Sequence, residues 1–289
     1  MPAVSIVVPC YNGGRFLDAL LASIAAQSFR DFEIVIVDDG STEPLTRQKL
    51  AALQPDIRVI HQKNRGLAAA RNAGFSAAAA DFVLPVDCDD TLEPAHLAET
   101  YAALKKAPRD VGFVHTHERI VGARTGVAKP YFNAFDQLFV NRLSYCMLIR
   151  KQAWRAVGGY DETMRDGYED WEFNIRLAKA GFRGIGVEKV LFVYLVSNEG
   201  MLMSRSSRMH GVLWRRMREK HPELYRVPAL IRLWRKQPGQ IGLLLALALL
   251  AAARALPDAW FGAGVHWVRQ RRLSLQEKQP AGGKLVPAD

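Results

Sequence analysis

Cysteine is scarce and odd in number: Cys10, Cys88 and Cys146 are the only three in 289 residues. A disulfide framework needs pairs, so these thiols predict a reducing compartment. Long apolar runs are missing too. Residues 241–253 give thirteen uncharged positions before Arg254, short of the roughly 20 that a membrane-crossing helix requires. The opening Met1-Pro-Ala-Val-Ser-Ile-Val-Val-Pro9 has no basic n-region and too short an apolar stretch for a signal peptide, so it is read as part of the fold. No segment repeats at a fixed period. Disorder is excluded for most of the chain by 49% hydrophobic and 24% charged residues, a composition that fits one large domain with an appendage.

Acidic charge is short at one end only. Residues 1–200 hold 23 Lys and Arg against 24 Asp and Glu, whereas 201–289 hold 16 against 5. The net +10 therefore belongs to the tail, which predicts an anionic surface met by the tail alone, either membrane lipid or nucleic acid.

The body is organised around Asp81-Phe-Val-Leu-Pro-Val-Asp-Cys-Asp-Asp90, an apolar run that empties into the carboxylates of Asp87, Asp89 and Asp90. Such a run fits a buried strand, and open parallel sheets bind ligands beyond the carboxyl ends of their strands. Three carboxylates so close repel one another, and a divalent cation shared with a diphosphate would resolve the repulsion. A solvated acidic turn capping a helix near Thr91 fits the motif equally well when it is taken alone.

Before it, the chain alternates. Strand patterns at 4–9, 34–37 and 57–60 are separated by helical spacing at 16–27 and 46–53, and a glycine-entered, alanine-rich helix at 64–74 precedes the acidic strand. A helix over 94–106 completes a pattern that predicts a doubly wound, mainly parallel sheet. After residue 110 the pattern gives strands at 111–117 and 145–149, a polar and aromatic connection at 118–140, a short helix at 152–157 and a helix over 168–181 closed by Gly181. Glu169, Asp170 and Trp171 fall in the first turn of that last helix. Acids there either favour the positive end of the helix dipole or face a pocket as a base.

Five stretches in order, Val7-Val-Pro-Cys-Tyr-Asn12, Ile34-Val-Ile-Val-Asp-Asp-Gly-Ser-Thr42, Asn64-Arg-Gly-Leu-Ala-Ala-Ala-Arg-Asn-Ala-Gly74, Asp87-Cys-Asp-Asp90 and Tyr168-Glu-Asp-Trp-Glu172, resemble glycosyltransferase family 2 over residues 3–195. The resemblance implies an α/β GT-A fold, a Rossmann-like mainly parallel twisted sheet flanked by helices. It also implies metal-dependent, inverting transfer of a sugar from a nucleotide diphosphate, typically of uridine, to a hydroxyl. Matched position by position, it implies that Pro9, Tyr11, Asn12, Asp39, Arg71 and Asp87 bind the nucleotide-sugar and that Asp87, Asp89 and Asp90 hold a divalent cation, Mn2+ or Mg2+. Asp170 would be the base, with Glu169 and Trp171 as acceptor or sugar contacts. The chemistry agrees, since a metal offsets charge on the leaving diphosphate while a carboxylate on the opposite face takes the acceptor proton.

Two departures stand out. The histidine that many relatives carry after the last core strand is not found at 192–201, and the later His210 reads as structural. The Gln-X-X-Arg-Trp motif of processive synthases is also absent, Leu213-Trp-Arg-Arg216 being no substitute, which disfavours processive synthesis.

In the tail, 204–220 reads as a basic amphipathic helix ended by Pro222, and 228–236 alternates Leu, Ile and Trp with Arg. The stretch 241–253 either lies on a membrane or packs on the catalytic domain, and basic flanks with Trp234, Trp260 and Trp267 favour the interface. The expected organisation is a catalytic domain at 1–200, with a nucleotide-sugar half at 1–110 and an acceptor half at 111–200. A helical membrane-associating region follows at 201–273, with a disordered tail at 274–289. The expected partners are a nucleotide-sugar, a carbohydrate or lipid-linked acceptor of cell-surface glycan synthesis, and an anionic membrane met through 201–273. No nucleic acid is expected, and the location is the cytoplasmic side of the plasma membrane, peripherally bound. Competing readings are an inactive homologue that binds nucleotide-sugar or a partner, and a nucleotidyltransferase. The latter wants a better phosphate loop than Cys10-Tyr-Asn-Gly-Gly-Arg15.

Overall fold

The computed structural model describes residues 1–197 and 209–265. The expected disordered tail, Trp267 and positions 204–208 of the basic helix lie outside the described residues.

Strands β1 (Val4–Cys10), β2 (Phe32–Asp38) and β3 (Ile57–His61) alternate with helices α1 (Gly14–Ala25), α2 (Pro44–Ala51) and α3 (Leu67–Ala77), and the acidic run supplies β4 (Phe82–Pro85). Their Val and Ile side chains alternate between two cores. Val4, Ile6, Val8 and Ile36 face α1, α2 and α4 (His96–Lys106), whereas Val7, Val35 and Val37 face α3. A strand buried on both faces has to be apolar at every position, and all seven residues of β1 are buried. The register pairs Cys10 with Asp38 and Asp38 with His61, so three strand ends finish level and their loops share one rim.

The second half departs from the expected sheet. A two-residue strand, β5 (Thr91–Leu92), stands where a helix start was expected, and β6 (Val111–Gly122) runs five residues past its expected end. It then turns into β7 (Gly126–Ala128) within the expected loop 118–140, which also holds a 3-10 turn at Asp136–Leu138. After β8 (Leu148–Arg150), α5 (Lys151–Ala156) and α6 (Glu169–Lys179) comes β9 (Arg183–Val196). The sheet order is β3-β2-β1-β4-β8-β6-β9-β5, with β7 beside β6. The pairs β1–β2, β1–β4, β2–β3 and β6–β9 are parallel, and β4–β8, β6–β8, β6–β7 and β5–β9 antiparallel. The sheet is therefore mixed, but its long pairings, those among β1 to β4 and that of β6 with β9, are parallel as expected, and the antiparallel ones span only two or three residue pairs each. β8 enters antiparallel between β4 and β6, with no crossover helix to keep its direction.

The C-terminal helices α7 (His210–Lys220), α8 (Val227–Lys236) and α9 (Leu243–Ala255) close a third core with residues of the acceptor half. Trp214 and Tyr225 both donate to the carbonyl of Leu138 at 2.9 Å, and the buried Asp136 carboxylate accepts from the backbone N–H of Gln240 and Ile241. Ala246, Leu250 and Ala253 put one face of α9 into this core. That matches the packed reading of 241–253, and a core shared across residue 200 is not a free appendage. No described helix is long and apolar enough to cross a membrane.

Gly74 lets α3 lie directly on the sheet: a Cβ there would meet Val7 Cγ1 at 2.2 Å and Val37 Cγ2 at 3.3 Å. Gly74→Val should therefore lower stability by about 1–3 kcal/mol through overpacking, and an unchanged urea midpoint would refute this account of the packing.

Candidate active site

The centre of the site is Arg71, on α3 and 1% exposed. Its Nη2 donates to both oxygens of Asp87, at 2.9 and 3.0 Å, and its Nη1 to Glu169 Oε1 at 2.7 Å. The guanidinium lies over the ring of Tyr145, 4.7 Å from the centroid, with Tyr160 at 5.6 Å. Burial opposes its charge, but the Asp87 and Glu169 carboxylates outweigh burial and push its pKa up. One buried cation thus joins the acidic loop after β4 to the first turn of α6. It was expected to meet the nucleotide, and its bonds instead go to protein carboxylates.

Asn72 does the complementary work. Its Oδ1 accepts from the Tyr160 N–H at 2.7 Å and from Trp154 Nε1 at 3.2 Å, and its Nδ2 donates to the Tyr160 carbonyl at 2.8 Å. This clasps the Gly158-Gly159 turn, whose φ values of +77° and +76° suit glycine and present the Tyr160 ring to Arg71.

The three carboxylates of the acidic loop divide. Asp90 is 1% exposed, accepts from the Tyr145 hydroxyl and takes the Leu195 N–H at 2.7 Å, so it ties the loop to β9. Asp90 was expected as a metal ligand; both of its oxygens carry structural bonds, and it is found holding the loop to β9. Burial, then the charge on Asp89, pushes its pKa well up. Asp89 is half-buried with no hydrogen-bonded side-chain partner among the described residues, and burial together with neighbouring Asp87 pushes its pKa up to about 6. Among those residues no three His, Cys, Asp or Glu groups form a metal-holding set. The pair Asp87 and Asp89 is what fits a divalent cation. They are hard oxygen donors of like charge, one held by Arg71 and one unpaired, and Mg2+-type ions take one or two carboxylates with the substrate's phosphates.

Asp170 sits beside Glu169 at the start of α6, entered through Gly167 and a left-handed Tyr168. Asn141 Nδ2 donates to its Oδ2 at 2.9 Å. Burial raises its pKa against the opposing pull of Arg71, and burial likewise pushes Glu169 up to about 7. Glu169 is committed to Arg71, so Asp170 is the carboxylate left to face a reactant. Trp171 was expected to touch sugar or acceptor. Its ring is 2% exposed in the third core and its Nε1 donates to Gln137 O at 2.6 Å, so it anchors the helix instead. His210 is structural as expected, bonded to the Tyr168 hydroxyl at 2.9 Å and stacked with Trp214.

The expected nucleotide loops are tied chiefly to one another. Pro9 is a buried β1 residue opposite Val37. Asn12, at φ +52°, accepts from the N–H of Thr42 and Glu43 at 2.8 and 3.0 Å, where α2 begins. Asp39 is 3% exposed and accepts from Gln62 Nε2 and from the N–H of Arg65 and Gly66, at 2.7 to 2.9 Å. Asp38 accepts from Ser41 N–H at 2.8 Å and bonds His61 at 3.0 Å. Tyr11, 51% exposed, is the one member of this set that offers an open ring face. Sequence reasoning missed Asn141, Tyr145, Tyr160 and Tyr194. Only the paired glycines before Tyr160 carried a local signal, and Tyr194, whose pKa burial and Asp90 push up, reaches the site through the β9 pairing.

With this geometry in view, comparison with known proteins is specific. The sequence profile of glycosyl transferase family 2 matches residues 5–157, and that of glycosyltransferase-like family 2 matches 115–208. O-antigen biosynthesis protein RfbC of Myxococcus xanthus is 32% identical over 188 residues, which are 62% of this chain but only 15% of that protein. Among solved structures, S. aureus TarS 1–349 with UDP-GlcNAc superposes with a TM-score of 0.62 at 20% identity, covering 99% of this chain and 95% of that one. The mannosyltransferase PcManGT of Pyrobaculum calidifontis, solved with GDP-Man and Mn2+, gives 0.57 at 21%, covering 96% and 88%. These two likenesses establish the shared fold. The profile spans more than half of the sequence, and the chain belongs to glycosyl transferase family 2.

Proposed function

We propose that the protein transfers a sugar from a nucleotide diphosphate, a UDP-sugar in the favoured case, to a hydroxyl of a carbohydrate or lipid-linked acceptor in cell-surface glycan synthesis, with inversion. The observation that carries this is the Arg71 bridge, which holds the Asp87–Asp89 loop and the Asp170 turn as one constellation. Solved relatives of this fold that hold UDP-GlcNAc or GDP-Man with Mn2+ support the donor class.

In this reading Asp87 and Asp89 hold a divalent cation. When bound, that cation offsets negative charge on the departing diphosphate. Tyr11 offers its exposed ring to the base. Asp170 Oδ2 is fixed by Asn141, which leaves Oδ1 to accept the proton of the attacking hydroxyl. A carboxylate whose pKa burial raises is a stronger base than one in water. Arg71 is a positioning residue, keeping Glu169 and Asp87 from repelling each other while Asp170 works. The basic C-terminal region would place the enzyme peripherally at the cytoplasmic face of the plasma membrane, close to lipid-linked acceptors.

Asp170→Asn should lower turnover by roughly 10²-fold to 10⁴-fold with donor binding kept, since asparagine holds the Asn141 contact but takes no proton. If Asp170 served only the helix dipole, the loss would be at most about 1 kcal/mol of stability with turnover intact. A raised pKa means that the proton is taken up at higher pH. The acid limb of kcat should therefore lie above the ordinary aspartate value of 3.8, and a profile flat down to pH 4 would refute the assignment.

Asp89→Asn should weaken UDP binding in Mn2+ by at least about tenfold. Groups outside the ligand shell already cost about 10-fold to 100-fold, and a direct ligand should cost no less. Calorimetric titration with unchanged affinity would rule out Asp89 as a ligand.

Arg71→Met should cost about 3–5 kcal/mol, because it leaves the buried Glu169 and the half-buried Asp87 uncompensated. A urea midpoint within error of wild type would show that the bridge is dispensable.

A further inference from the structure

Helix α9 is uncharged from Leu243 to Ala253 and apolar on every side, which is the pattern of a helix covered all round. Only Ala246, Leu250 and Ala253 are buried. On the opposite side Leu244, Ala248, Ala251 and Ala255 recur at helical spacing and all are exposed, Leu244 by 84%, with Leu245 at 51% beside them. Leu256 and Trp260, 43% and 71% exposed, continue the patch past the helix end. Nine large hydrophobic residues are exposed among the described residues, and these four and Val227 all lie between 227 and 260. Their concentration on one unit makes this a patch rather than scatter.

Cationic groups border the patch. A cleft of about 390 Å³ runs along α9, lined by three arginines, Arg215, Arg218 and Arg254, and one carboxylate, Glu219, with Leu250 and Ala253 on its α9 wall. Arg215 is held by Asp258 at 2.8 Å. Arg218 lies over the Trp214 ring at 4.8 Å with its Nε buried and unpartnered, and its Nη2 reaches only the Ala253 carbonyl, at 3.4 Å. Among the described residues Arg254 has only a 3.5 Å contact to the Tyr225 carbonyl. Among the described residues neither Arg218 nor Arg254 is paired with a carboxylate, and Glu219, the one acid lining the cleft, stands 4.0 Å from Arg215, so two forked donor groups with spare N–H bonds face a common cleft, an arrangement that suits a phosphate. Across 209–265 there are nine Lys and Arg against three Asp and Glu.

We propose that α9 and residues 256–260 are a docking face for an anionic phospholipid bilayer. Leu244, Leu245, Leu256 and Trp260 enter the interfacial region and the Arg218–Arg254 cleft takes a lipid phosphate. Apolar side chains flanked by arginine are what such an interface binds, and no described helix is long and apolar enough to pass through it. The inference deepens the membrane placement proposed above and is independent of the sugar transferred.

The full chain is sedimented with vesicles of phosphatidylcholine alone or with phosphatidylglycerol. Wild type should pellet with the anionic vesicles and release as salt rises. Leu244→Glu with Leu245→Glu should weaken binding at least tenfold; both side chains are exposed, so folding is spared. Arg218→Gln with Arg254→Gln should remove the preference for anionic over neutral vesicles. Thermal stabilisation by UDP-sugar should be unchanged in the leucine variant, which separates failure of this inference from failure of the enzymatic one. Wild type left in the supernatant, or variants binding as wild type, would overturn the proposal. So would stabilisation by inorganic phosphate without vesicle binding, which would make the cleft a free-anion site. A concentration-dependent dimer abolished by the leucine substitutions would assign the face to a second copy of the chain and overturn it as well.

Discussion

A cation without access to water holds this site together. Taking a guanidinium and two carboxylates out of water costs several kcal/mol per ion, and the arrangement persists only if all three stay in contact with good geometry. Arg71 meets that condition with three short bonds and an aromatic face on Tyr145. Because its partners lie on different elements, the requirement fixes α3, the loop after β4 and the start of α6 relative to one another. The groups proposed to react stand close to the pinned ones, Asp89 two residues after Asp87 and Asp170 directly after Glu169. Their position follows from a bond that neither of them makes.

The same economy explains which parts of the site were legible in the sequence. In Ala70-Arg-Asn-Ala-Gly74 three positions have separate jobs: Arg71 bridges carboxylates, Asn72 clasps the Tyr160 turn and Gly74 admits the sheet. Their residue types are distinctive because each job tolerates little else, so the motif could be found. Its assignment to the nucleotide was a guess about direction that no spacing carries. Asn12 and Asp39 are distinctive for a similar reason, since both accept from N–H groups of neighbouring loops. The β1 to β4 alternation was readable because parallel strands covered on both faces must be continuously apolar.

Harder to read were features made by distant partners. β5 has two residues and exists only because β9 lies beside it, pairing Thr91 with Val193. β6 extends to Gly122 because β9 accompanies it through two register shifts. Asp90 looked like a ligand within its own acidic run, and only the arrival of Leu195 and Tyr145 shows that it faces inward. Trp171 is the same case, its direction set by the carbonyl of Gln137 and the third core.

That third core changes what the C-terminal helices mean. Trp171, next to Asp170, packs in one cluster with Trp214 of α7, Leu230 of α8 and Leu250 of α9. The next residue of α6, Glu172, bonds His221 at 3.0 Å, and although burial opposes its charge, His221 and Arg176 hold its pKa down. The helix that carries the proposed base is therefore seated on the C-terminal unit as much as on the sheet. Removing residues 201–289 would strip a wall from Trp171 and a partner from Glu172, so loss of activity in such a truncation would follow from an unseated α6 whether or not a membrane contact had been lost. Only surface changes on the exposed side of α9 can separate anchoring from catalysis, because Leu244 and Leu245 lie on the side that the core leaves open.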